Sequence, residues 1–120
     1  MAQPIPPEVE NEVRKLVIKQ QQLEQLMAAI QTRQAELREA EVTLEEMKKY
    51  PDETVTYKTV GQIMFKVDKA QLQKELTDRV ANLREWLELK TKAAEKDRKE
   101  LEELNAQIQL DISKRNLKVQ

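Results

Sequence analysis

Two adjacent acidic pairs, Glu45–Glu46 and Glu102–Glu103, come nearest in type and spacing to acid–base chemistry. A catalytic carboxyl pair needs a cleft that strips water from it and shifts its pKa. These pairs sit instead on helix faces beside lysines and arginines, with no cleft to desolvate them. The chain has no Cys and no His, which removes zinc fingers, thiol nucleophiles, imidazole bases and disulfides. A single Gly removes phosphate-cradling and dinucleotide loops. No enzyme activity, metal or cofactor is expected. The net charge of −1 provides no field to gather nucleic acid or an acidic membrane. No apolar run approaches the roughly 20 residues of a bilayer span. The opening MAQPIPPEVE lacks the basic and apolar segments of a signal peptide, so a cytoplasmic location is expected.

The elements that must position any function follow from where the chain lacks breakers. Its 120 residues allow one domain, 36% of them are charged and only 3% are aromatic, a composition of long helices. Neither Pro nor Gly occurs at 8–49 or 68–120. In the first stretch Val9, Leu16, Leu23, Ile30, Leu37 and Leu44 recur every seven residues, the mark of a coiled coil. A second seam position carries Val13 and Met27 and then drifts to Leu26, Ala40 and Met47, with Gln20 and Gln34 as interruptions. In the second stretch Val80, Leu87, Ala94, Leu101 and Ile108 repeat, partnered by Leu76, Leu83 and Leu104 and interrupted by Lys90 and Asp97. Asp68 with Gln71 has the spacing of a capping box. The segment between, at 50–67, is rich in Thr, Val and aromatics and holds Gly61, which reads as a β-hairpin. Fewer than 20 residues of connection force the helices antiparallel. The fold expected is mainly α: a long antiparallel two-helix coiled coil with a β-hairpin inserted at its turn. Its parts are an N-terminal tip at 1–7, helix one at 8–49, the hairpin at 50–67, and helix two with a C-terminal tip at 68–120.

Burial favours a hairpin in which Thr59 faces Ile63 across a three-residue loop, placing Val55, Tyr57, Ile63, Phe65 and Val67 on one apolar face. A two-residue turn at Val60–Gly61 would mix the faces. In either register an isolated two-stranded hairpin is marginal in water and has unpaired edges. The hairpin is therefore expected to pair with hairpins of other subunits in a shared sheet or barrel, through Val55, Tyr57, Val60, Gly61, Ile63, Met64, Phe65 and Val67.

This arrangement resembles the prefoldin beta subunits. The stretch Tyr57-Lys58-Thr59-Val60-Gly61-Gln62-Ile63-Met64-Phe65-Lys66 is similar to the family's hairpin signature. Pro6-Pro7-Glu8-Val9 and Gln20-Gln21-Gln22-Leu23 look like archaeal-type members. The resemblance covers essentially the whole chain. It implies a hexamer with alpha-type subunits, two alpha and four beta, whose hairpins form a β-barrel body carrying six coiled coils. It also implies an ATP-independent chaperone whose tips hold unfolded client proteins and pass them to a group II chaperonin.

Apolar residues off the seam are the natural contacts for such clients. Near the first end these are Ile5, Val17 and Ile18; near the second, Leu110, Leu117 and Val119. Val9, Val13, Ile108 and Ile112 lie at the fraying end of the seam and can splay open. Trp86 and Leu89 form a further off-seam patch, and Lys114, Arg115 and Lys118 a basic cluster suited to a chaperonin. The alternative is a structural coiled-coil adaptor or scaffold with the same fold and no capacity to hold clients.

Overall fold

The computed structural model describes residues 5–119, with side chains as far as residue 115. Its elements, in order, are helix α1 (Pro7–Met47), strand β1 (Thr56–Val60), strand β2 (Ile63–Val67) and helix α2 (Lys69–Val119). Pro7 opens α1, where its missing N–H costs nothing. The last turn tightens, with Lys49 N bonding Glu46 O (3.1 Å) and Tyr50 N bonding Met47 O (3.3 Å), and Pro51 stops the helix. At the start of α2 the Asp68 carboxylate accepts from the Gln71 N–H at 3.3 Å, so Asp68 is the N-cap.

The chain divides into two compact units. The hairpin unit comprises residues 30–89, including the second half of α1 and the first half of α2. Its core is Ala40, Met47, Val80, Leu83 and Leu87. The helices run antiparallel there: the Arg33 guanidinium lies 5.9 Å from the Trp86 ring centroid, and Lys69 reaches back to Tyr50. The terminal unit combines the start of α1 with the end of α2, and among its described residues the buried side chains are Val9 and Ile108. The helices are antiparallel here too, tied by Lys19–Glu100 at 2.9 Å and Arg115–Glu8 at 3.1 Å.

The heptad of Val9, Leu16, Leu23, Ile30, Leu37 and Leu44 lies along the packed side of α1. Its partner position does not drift. Val13 and Met27 are exposed, as are Gln20 and Gln34, while Glu12 and Lys19 are partly buried in line with Leu26, Ala40 and Met47. The heptad fixes position three residues after each seam leucine, whatever side chain stands there. Two charged residues of α1 therefore occupy seam positions in the terminal unit, and the nearby apolar residues are displaced to its surface.

Lys69 is a buried charge at 5% exposure. It falls seven residues before Leu76, at a seam position of α2. The last turn of α1 holds no basic residue. Lys69 Nζ supplies one from the other helix, donating to Tyr50 O at 2.7 Å and Pro51 O at 3.1 Å, with the Asp52 carboxylate at 3.9 Å. One side chain thus pins the exit of α1 to the entry of α2, the two points from which the hairpin springs. Replacing Lys69 by Met keeps the aliphatic stem and strands two carbonyls. The expected loss is about 1–3 kcal/mol of unfolding free energy with helix content unchanged, read by urea denaturation followed by circular dichroism. Wild-type stability would mean that the carbonyls find other partners.

Candidate assembly and client-binding surfaces

The hairpin pairs Val60 with Ile63, Lys58 with Phe65 and Thr56 with Val67. This is neither the three-residue loop that burial favours nor a turn at Val60–Gly61. The turn has two residues, Gly61 and Gln62, with Gly61 at φ 60° and no other described residue at positive φ. Gly first in a two-residue loop is the type II′ arrangement, whose twist matches that of the strands. Turn chemistry sets the register, and a face made of Val55, Tyr57, Ile63, Phe65 and Val67 does not form. Alternation places Val60, Ile63, Phe65 and Val67 on one face with Thr56 and Lys58; Tyr57 and Met64 share the other with Thr59 and Lys66. Val55 precedes β1.

Both faces of the hairpin are open to solvent. Val60, Ile63 and Phe65 on one side and Tyr57 and Met64 on the other are each at least half exposed. The hairpin is held locally by Thr56 Oγ1 donating to Val67 O (2.7 Å) and by Lys58 Nζ donating to Glu75 of α2 (3.2 Å). Its hydrogen bond from Lys58 holds the Glu75 carboxyl below its usual range. The register also decides the edges. In an antiparallel pair closed at Val60–Ile63, the N–H and C=O groups of Tyr57, Thr59, Met64 and Lys66 point outward.

In the terminal unit the expected contacts separate into two groups. Ile5, Val13, Val17, Ile18, Leu110 and Ile112 are exposed; Val9 and Ile108 are buried, at 3% and 4%. Leu117 and Val119 lie outside the residues with described side chains. Arg115 of the basic cluster is engaged with Glu8. Glu12 and Asp111 face each other between the two helix ends: burial first, and then the Asp111 carboxyl, push the Glu12 carboxyl above its usual range. Lys19 and Glu100 stabilise each other's charge, the lysine shifted up and the glutamate down by their hydrogen bond. Sequence reading missed Glu12 and Lys69 because it traced the seam through apolar residues; counting sevens through charged ones finds both. Trp86 is half-buried beneath Arg33, which makes it a packing residue of the hairpin unit, while Leu89 beside it is exposed. No group of three or more metal-ligating side chains occurs among the described residues. No described helix is long and apolar enough to cross a membrane.

Comparison with known proteins decides what this architecture is. The family model for prefoldin subunits matches residues 10–115. The chain belongs to the prefoldin beta-subunit family. It is 40% identical over 110 residues to the prefoldin subunit beta of Thermococcus gammatolerans, covering 92% of this chain and 94% of that one. It is 37% identical over 118 residues to that of Saccharolobus islandicus, with 95% and 90% covered. The crystal structure of the prefoldin beta subunit from Thermococcus strain KS-1 superposes with a TM-score of 0.78 at 36% identity, over 92% of this chain and 96% of that chain. Prefoldin subunits are chaperone components and not enzymes, which agrees with acidic pairs that lie on open helix faces.

The II′ turn yields a direct check. A Cβ added at Gly61 meets nothing within 4 Å, so the cost of Gly61→Val is backbone strain alone. That cost is roughly 1–2 kcal/mol, or about tenfold faster exchange of the Val60 and Ile63 amides by NMR. Gly61→Asn, which tolerates positive φ, should change exchange far less. Equal exchange in Gly61→Val and wild type would show that the loop has other conformations available at no cost.

Proposed function

We propose that this chain is the beta-type component of a hetero-oligomeric prefoldin, joining alpha-type subunits in a hexamer of two alpha and four beta through a shared β-barrel. The observation that carries the reading is a hairpin that is apolar on both faces and unpaired at both edges. A two-stranded sheet cannot cover two faces by itself, whereas addition of neighbouring strands satisfies the edges and stacks the faces. Tyr57, Val60, Ile63, Met64, Phe65 and Val67 supply that contact, Val55 extends it, and Gly61 sets its turn. In the cytoplasm the complex holds non-native proteins without nucleotide and delivers them to a group II chaperonin.

Client holding resides in the terminal unit. Ile5, Val13, Val17, Leu110 and Ile112 offer separate apolar contacts at the surface, and Val9 with Ile108 become available when the helix ends part. Leu117 and Val119, which follow in sequence, join this client-binding set. Weak, sequence-tolerant contacts of this kind suit unfolded chains, and several arms on one client add avidity. Charged flanks on the rest of both helices resist adhesion there.

Deleting residues 1–8 and 110–120 tests this directly. The truncated chain should still assemble with an alpha-type subunit, by native mass spectrometry, and should lose most suppression of aggregation of a denatured client, by light scattering. Full suppression by the truncated complex would move the client surface away from the ends. Assembly without any suppression by the intact complex would favour the adaptor reading.

A further inference from the structure

Glu12 and Asp111 occupy seam positions on opposite helices of the terminal unit, where a coiled coil ordinarily places apolar side chains. Both line one recess between the helix ends, where the Asp111 carboxylate also accepts from the Gln107 amide at 3.0 Å. The second oxygen of Glu12, Oε2, is buried and has no hydrogen-bond partner. Two ionised carboxylates in one recess repel, whereas a proton on Glu12 lets it donate to Asp111. The charged groups around the pair are Glu8 and Lys15 on α1 and Lys114 and Arg115 on α2. They do not dissolve the conflict: Arg115 is engaged with Glu8 at 3.1 Å, and Lys15 acts against the raised Glu12 value without overcoming burial and Asp111. Val9 lines the same recess, and three residues before Asp111, at the neighbouring seam position of α2, lies Ile108; among the described residues these are the buried apolar pair of this unit.

We propose that Glu12 and Asp111 form a proton-held clasp across the terminal seam, closed while Glu12 carries a proton it can donate to Asp111 and opened by repulsion when Glu12 ionises. Closed, the clasp keeps Val9 and Ile108 covered; open, it lets the two helix ends part and uncovers them. The direction follows from linkage. The Glu12 carboxyl holds its proton more tightly in the folded chain, so the stabilisation is complete below the ordinary carboxylate range and disappears as pH rises through the raised Glu12 value. A use of this opening in holding clients rests on the function proposed above; the movement itself does not.

The chain has no native Cys, so spin labels can be placed cleanly at Asn11→Cys and Gln109→Cys, both solvent-exposed positions of this unit. Pulsed electron resonance on the full chain should give a narrow distance distribution at mildly acid pH that broadens to longer distances as pH rises. Glu12→Gln, whose amide donates to Asp111 and does not titrate, should stay narrow throughout. Asp111→Asn is the second variant and should abolish the pH response from the other helix. Circular dichroism verifies that each variant keeps its helices. A wild-type distribution that ignores pH, or a Glu12→Gln chain that still responds, overturns the clasp. Distances that move while aggregation suppression stays level support the clasp and overturn its role in client holding.

Discussion

A two-stranded hairpin cannot bury its own side chains, and that constraint organises this protein. Residues 56–67 place large apolar groups on both faces of a ribbon with two free edges. Full burial of one such side chain is worth roughly 1.5–3 kcal/mol, so covering the exposed half of five of them contributes on the order of 5 kcal/mol per subunit. That is comparable to the lower estimates of the cost of association, and the pairing of edge amides adds to it. The rest of the hairpin unit serves to present the ribbon in one direction. Lys69 ties its two roots together, Lys58–Glu75 ties one strand to α2, and Ala40, Met47, Val80, Leu83 and Leu87 hold the helices beneath.

The two units differ in the quality of their seams. The hairpin unit buries five apolar side chains and a pinned lysine, whereas the terminal unit, among its described residues, buries Val9 and Ile108 and spends seam positions on Glu12, Lys19, Lys90, Asp97 and Asp111. Exposed ion pairs such as Arg115–Glu8 contribute at most about 1 kcal/mol and serve chiefly to fix which residues face each other. Polar seam positions lower stability locally while keeping register. A firm seam suits a platform for assembly. A soft one, flanked by the exposed Val13, Val17, Leu110 and Ile112, suits a surface that must adapt to unlike partners.

Much of this was legible in the residues. Long breaker-free stretches announce the helices, Asp68 announces the cap of α2, and the six-fold recurrence from Val9 to Leu44 announces the seam. The failures have physical causes. Tracing the seam through Val13 and Met27 followed hydrophobicity where helix geometry had to be followed, so the charged seam residues Glu12 and Lys19 stayed hidden. The hairpin register was inferred from collecting apolar residues on one face, whereas Gly61 at the first position of a II′ turn dictates a different pairing. A ribbon that buries neither face within its own chain has no reason to segregate its apolar residues. The contact of Lys69 with Tyr50 and Pro51 spans 18 or more residues and has no local signature.

The central claim is that the hairpin is completed by strands of other subunits. Hydrogen exchange of its outward amides, measured on the chain alone and mixed with an alpha-type prefoldin subunit, tests it most directly. The account predicts slowed exchange on mixing at Tyr57 and Thr59 on β1 and at Met64 and Lys66 on β2, beyond any change in the inward-facing Val60 and Ile63. A stable complex in which all four outward amides exchange as fast as in the free chain would contradict it.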